Sequence, residues 1–401
     1  MEAGELAPWV TSFVAELEAL RHAALTVRGY ADCARHFGAW LSVNNIGLDE
    51  VDSRILGRFA RHRCRCGGNR RATRFSDKYL NRIRRFIAFL AKHGVVSPPS
   101  GATASPVDPL VADYQQWLER HRGVCERTTA RYGSMVMRLL PALGSDPRAY
   151  DAAAIRKAVL PEAQRCSPAY AKTMTTALRG YLRFLAAANL CPPGLEHAVP
   201  HVTQWRLSSL PRYLSKEQVD RLLASCDPRS VCGIRDRAIL LLLARLGLRA
   251  GDILEMRLAD IDWSSGTLRV MGKGRRETRL PLPQDTGDAV LDYLASGRSS
   301  ADHDHLFQRS IAPFCPFSSS STVSSIVALA LKRAGIDDPP SHGAHLLRHS
   351  AATHMLRGGA TLQSVGAVLR HRSVETTAHY AKVDLTMLAR VAQPWPEEVT
   401  C

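Results

Sequence analysis

Two proline-rich interruptions, "SPPSGATASP" at 97–106 and "CPPGLEHAVPHV" at 191–202, cut this chain of 401 residues. Proline lacks the N–H that a helix interior needs, and it biases the residue before it away from the helical region. Neither helix nor central strand propagates through such stretches. Each flank must therefore complete its own core. The expected organisation is a unit at 1–96, a linker at 97–107, a second unit at 108–191, a linker at 192–210 and a third domain at 211–401. Two or three domains suit this length.

The first two units read as helical. Trp9, Phe13, Leu17 and Leu20 recur at three- and four-residue spacing, and Val27, Tyr30, Phe37, Trp40 and Leu41 continue the pattern. Thr26 is the expected N-cap of the second helix. "DKYLNRIRRFIAFLAKHG" reads as a further helix closed by Gly94. The pattern then recurs. "TVRGYADCARHFGAWL" from Thr26 aligns with "TTARYGSMVMRLLPAL" from Thr128, and "RRFIAFLAKHGVV" with "LRGYLRFLAAANL" from Leu178. Two related helical units, a duplication, are the reading.

From Leu214 the character changes. "SKEQVDRLLASC" carries a capping box, Ser215 with Gln218. "RDRAILLLLARLG" reads as a buried helix ending at Gly247. "DWSSGTLRVMGKGRRETRLPLP" alternates apolar and polar residues around two turn signals, a small β-meander. Helices resume from Ser321. The fold class is mainly α with this one meander.

Charge bears on the partner. The chain holds 53 Lys and Arg against 37 Asp and Glu, a net +16. Thirteen of those cations and a single acid, Asp77, lie between Arg54 and Lys92. Such a surplus favours a polyanion, nucleic acid ahead of an anionic membrane. The start carries no charged-then-apolar signal pattern, and the longest apolar run, Ala238 to Ala244, falls far short of a membrane span. Ten cysteines without framework spacing suggest reduced thiols and a cytoplasmic protein, nucleoid-associated given a DNA partner. "HRCRCGG" offers His62, Cys64 and Cys66 to a metal, but C-x-C without a second pair reads better as a basic loop.

The chemistry-bearing residues cluster late. In "HLLRHSAATHMLRGG" a helix brings His345, Arg348 and His349 to one face, where the cations repel unless an anion lies among them. An arginine's planar fork suits phosphate. Arg249 begins the helix after Gly247, with Asp252 at i+3 able to orient it. Lys273 sits in "GKGR", a tight turn that presents its amine. "LRHRSVETTAHY" adds His371 and Tyr380.

In this order, Arg249, Lys273, His345, Arg348, His371 and Tyr380 resemble the catalytic set of the tyrosine recombinases, the phage-integrase family. "HLLRHSAATHML" resembles the family's His-x-x-Arg-His box and "LRHRSVETTAHY" its Leu-Gly-His…Tyr box. The resemblance covers about 211–392, and 108–191 more loosely resembles the family's core-binding domain. It implies a recombinase that breaks and rejoins double-stranded DNA through a 3′-phosphotyrosyl bond, without cofactor, metal or ATP. Tyr380 would be the nucleophile, with Arg249 and Arg348 clamping the phosphate. Lys273 would protonate the leaving 5′-oxygen, His345 would act as acid/base, and His371 would donate to the phosphate. It further implies a homo-tetramer on DNA, with the tail "DLTMLARVA" docking on a neighbour. Integration, excision or transposition of a mobile element is the expected setting. A type IB topoisomerase and a non-catalytic DNA-binding regulator are the alternatives. Two positions depart from the pattern. Residue 370 is Arg where the family usually has Gly, so either the turn there is altered or the side chain reaches a phosphate. Residue 252 is Asp rather than Glu. His349, His354 and His379 are given structural roles.

Overall fold

Four helices follow one another in each of the first two segments of the computed structural model. The structure describes residues 4–62, 76–96, 108–203, 211–272, 277–299, 303–371 and 373–382. The first set comprises α1 (Ala7–Ala19), α2 (Ala24–Val43), α3 (Ser53–Arg61) and α4 (Asp77–Lys92). The second comprises α5 (Pro109–Arg122), α6 (Glu126–Leu143), α7 (Ala152–Arg165) and α8 (Pro168–Ala187). A single 3-10 turn, Leu48–Glu50 or Pro147–Ala149, precedes the third helix of each set. The paired sequence stretches fall on matching helices, α2 with α6 and α4 with α8.

Caps and apolar faces account for these helices. Asp108 accepts the N–H of Leu110 at the start of α5, where Pro109 has no N–H to satisfy, and Gly123 ends the helix at φ 57. Helix α2 begins two residues before Thr26, with Ala23 in the cap position and no side-chain cap. Thr26 instead lies in the first turn, its N–H on the Ala23 carbonyl. A cap is worth only about 1 kcal/mol, less than the apolar face beneath it. In the first set that face is aromatic: Phe13, Phe37, Phe59 and Phe86 are buried, and Phe37 meets Phe59 edge-on at 5.1 Å. In the second, Tyr114 and Tyr181 are buried edge-to-face at 5.5 Å, and the Tyr114 hydroxyl donates to the Ala177 carbonyl. That bond satisfies an otherwise orphaned buried oxygen.

The third segment opens with α9 (Lys216–Ala224), started by the Ser215–Gln218 capping box. Its central helix, α10 (Val231–Leu246), buries every residue from Ala238 to Ala244, and Gly247 closes it at φ 59. Helix α11 (Ala250–Glu255) follows. The meander comprises β1 (Ile261–Asp262), β2 (Thr267–Met271) and β3 (Glu277–Pro281), antiparallel in that order. Ile261 pairs with Leu268 and Leu268 with Leu280, so period-two alternation sends all three into the core. Next come α12 (Gln284–Asp292), a π turn at Tyr293–Gly297, α13 (Ser320–Arg333) and α14 (Ala344–Arg357). Helices α15 (Leu362–Val368) and α16 (Val374–Ala381) are the last among the described residues. A small apolar cluster of Ala352, Leu356, Val365, Leu369 and Tyr380 ties these last three helices together.

The chain divides into two compact units. One comprises Met1–Ile46, Phe59–Leu90 and Leu207–Cys401, the other Gly47–Arg58 and Ala91–Arg206. No helix among the described residues is long and apolar enough to cross a membrane, and none of their His, Cys, Asp and Glu side chains form a group of three or more able to hold a metal. Cys64, Cys66, the linker at 97–107, Lys273 and the tail at 384–392 lie outside the described residues.

Candidate active site

Two helix ends and one helix face build the site. Gly247 turns the chain out of α10 in the left-handed conformation, and Arg249 then caps α11 from an extended backbone. Asp252 reaches back to accept the Arg249 backbone N–H at 2.7 Å. Asp252 therefore braces the main chain of Arg249, and its side-chain ion-pair partner is Arg370.

Helix α15 ends in a Schellman motif. The Arg370 N–H bonds the Ala367 carbonyl, the His371 N–H bonds that of Gly366, and Arg370 takes φ 55. Glycine serves best at such a position, and an L side chain there costs about 1 kcal/mol. The turn is thus the one glycine would make, not an altered one. It aims a buried guanidinium at Asp252, both side chains being under a tenth exposed. The Arg370 carbonyl accepts from Nη2 of Arg249 at 3.3 Å.

Helix α14 presents His345, Arg348 and His349, as the spacing predicts. Arg348 is buried and donates from Nη1 to the Gly247 carbonyl and from Nη2 to that of Leu369. It thereby ties the ends of α10 and α15 to α14. Burial, then the charge of Arg249, pulls its pKa down to about 10. His345 is exposed, yet the surrounding protein and then Arg348 and Arg249 lower its pKa.

Tyr380, on α16, is buried at 3 % exposure, and burial raises its pKa against the opposing effect of Arg348. Its hydroxyl lies 2.8 Å from Nδ1 of His349. Burial, followed by His345, His379 and Arg348, lowers the His349 pKa to about 4, so the ring is neutral near pH 7. On the other side the His371 ring lies parallel to Tyr380, 6.2 Å between centroids. Its pKa is also held down to about 4, by burial and then by Arg348 and Arg249, while its Nδ1 meets the Thr377 hydroxyl at 2.8 Å.

Five of the six sequence-predicted residues, Arg249, His345, Arg348, His371 and Tyr380, thus lie on elements that meet here. Lys273 belongs to the β2–β3 tip, outside the described residues. Gly272 and Thr278, flanking that tip, line a cleft of about 640 Å³ with Arg249, Asp252, Arg370 and His371. Sequence reading gave His349 a packing role. Its hydrogen bond to Tyr380 is the feature that reading missed, although His349 closes the His-x-x-Arg-His box one turn beyond His345. His354 keeps a structural part, with Nε2 on the Leu214 carbonyl at 3.0 Å.

The phage integrase family matches residues 212–386. "Putative integrase/recombinase y4rA" of Sinorhizobium fredii is 37% identical over 98% of this chain and 96% of its own length. Tyrosine recombinase XerD of Halalkalibacterium halodurans is 34% identical over 54% of this chain and 71% of its own. Among solved structures, XerH bound to a palindromic difH substrate aligns over 88% of this chain and 99% of that one, with TM-score 0.58 and 19% identity. A lambda integrase dimer on a core site aligns over 73% and 98%, with TM-score 0.56 and 18% identity. These last two likenesses are of fold. Because the y4rA match runs almost end to end and the family match takes in the whole arginine–histidine–tyrosine cluster, the chain belongs to the phage integrase family, the tyrosine recombinases.

Proposed function

We propose that this recombinase breaks and rejoins duplex DNA by attack of the Tyr380 hydroxyl on a phosphodiester. The observation that carries the reading is the Tyr380 hydroxyl set against a neutral imidazole beside buried Arg348. The phenolic oxygen bonds to phosphorus, its proton passes to Nδ1 of His349, and the bond to the 5′-oxygen breaks. Lys273 supplies the proton that this oxygen takes up. The phosphodiester energy is kept in the 3′-phosphotyrosyl bond, so the strand is rejoined without a nucleotide.

Arg249 and Arg348 offset the charge of the pentacoordinate phosphorane. Arg348 has five N–H donors and commits two to carbonyls, leaving three for phosphate oxygens. His371, its Nδ1 against the Thr377 hydroxyl, turns Nε2 to the phosphate, and donates from it in the tautomer in which Thr377 donates to Nδ1. His345 serves beside His349 as the second acid/base. The basic helices of 1–96 and 108–191 grip the flanking duplex, and the active assembly is a homo-tetramer. A lambda integrase tetramer on a Holliday junction, TM-score 0.56, supports that assembly by fold. The setting is the movement of a mobile element, supported by the end-to-end likeness to an integrase/recombinase.

A nicked duplex that traps the covalent intermediate tests the reading. The wild-type protein yields a protein–DNA adduct, and Tyr380→Phe yields none while binding DNA within a few-fold, because binding rests on many phosphate contacts. A wild-type-level adduct from the Phe variant would remove Tyr380 from the reaction. Strand exchange between two such sites separates recombination from relaxation of supercoils.

A further inference from the structure

Arg370 holds a side chain where the backbone favours none, and that side chain is buried rather than offered to solvent: φ 55, 6 % exposed. Its Nη2 donates to Oδ2 of Asp252, the oxygen that also accepts the Arg249 backbone N–H. Its Nε and Nη1 are buried and have no hydrogen-bond partner among the described residues. Two guanidiniums, Arg249 and Arg370, thus line the cleft with one carboxylate, Asp252, whose charge also acts on Arg348. Asp252 stands three residues from Arg249, within reach of its side chain. Yet the Arg249 guanidinium rests on a neutral carbonyl, that of Arg370, while the carboxylate is turned to Arg370.

We propose that Arg370 is a positioning residue for strand cleavage: by sequestering Asp252 it keeps the Arg249 guanidinium out of a direct ion pair with that carboxylate and available to the scissile phosphate. Arg370 lines the cleft, but its guanidinium is buried against Asp252 rather than offered to the substrate. Without its guanidinium, Asp252 is a buried, unpaired carboxylate and turns to Arg249, three residues away and already bonded to it through its backbone N–H. A clamp arginine paired to a carboxylate presents less positive charge to the developing phosphorane. The inference rests on the function proposed above and adds the residue that sets the charge of its clamp.

Single-turnover cleavage of the nicked duplex by the full chain tests it. Arg370→Gly suits the left-handed backbone and is expected to slow cleavage by about 10²-fold, the size of effect that misplacing one catalytic group produces. DNA affinity should stay within a few-fold. Adding Asp252→Asn, which retains an acceptor for the Arg249 N–H but no charge, should restore the rate to within about tenfold of wild type. Arg370→Lys, keeping a cation beside Asp252, should also cleave faster than Arg370→Gly. Where the glycine variant lacks a cooperative melt, Arg370→Asn, which also tolerates this backbone, replaces it in the same comparisons. Wild-type cleavage by the uncharged variant overturns the inference alone. So does a double variant as slow as the single one. Absence of an adduct from the wild-type protein overturns it together with the function on which it rests.

Discussion

In the proposed reaction His349 takes a proton from Tyr380 and so has to be uncharged, which the fold arranges at a cost in acid stability. An unfolded histidine binds its proton as pH falls through about 6.5. Folded His349 and His371 resist until about 4, chiefly because burial disfavours the charged rings. Between those values the unfolded chain binds more protons than the folded one, so stability falls as pH falls. The melting temperature is expected to drop from about pH 6.5 towards pH 4. His349→Asn should shallow that drop, and an unchanged slope in the variant would acquit His349. The residue types of the candidate site were legible in the sequence only as an ordered set, through its resemblance to a family, since each cluster alone reads equally well as solvated charge. The His349–Tyr380 bond was not. Its partners lie 31 positions apart and meet only through the packing of α14 on α16, which no local pattern encodes. The Arg370–Asp252 pair, 118 positions apart, escaped for the same reason.

At the level of elements, the ends of helices matter more than their middles. Gly247 ends α10 at φ 59, gives its carbonyl to Arg348, and leaves no room for a side chain: an added Cβ would lie 2.5 Å from Cδ2 of Leu369. Leu369 in turn gives its carbonyl to the same arginine. Gly247→Ala is therefore expected to cost at least about 1 kcal/mol from the left-handed backbone alone. It should also slow cleavage, because the displaced leucine carries one of the two carbonyls that seat Arg348. Chemical denaturation and the adduct assay read these separately, and a variant of wild-type stability and rate would contradict the account. Such ends were foreseeable where a glycine followed an apolar run, as at Gly247, and where Ser215 and Gln218 formed a box. The start of α2 was not, since core packing outweighed the capping preference of Thr26. The π turn at Tyr293–Gly297 left no sequence signal, being held by the buried Tyr293 ring against Phe307.

Across the whole molecule, the surplus of positive charge sets how it meets DNA. Lys78 and Arg84 on α4 are exposed, and neither takes part in an ion pair with a described acid. If they touch phosphates, the Lys78→Ala/Arg84→Ala variant lowers the slope of log K against log salt by about 0.9 for each lost contact. An unchanged slope would give α4 another task. Cleavage itself is expected to persist in EDTA, since the phosphate charge is met by arginines. Loss in chelator and recovery with a divalent ion would contradict that. The crowding of Arg249, Arg348 and Arg370 around Asp252 has one more consequence. Like charges fixed close together in a partly dry site raise the free energy of the unliganded fold. The resting protein is thus a spring held compressed by its own core, and the phosphodiester is the piece that lets it relax. Ligand that binds only the folded state stabilises by RT ln(1 + [L]/Kd), about 2.7 kcal/mol at a hundredfold excess over Kd. A short duplex carrying the cleavage site should thus raise the melting temperature of this chain, and should do so less in Arg249→Ala, where the spring has already been slackened.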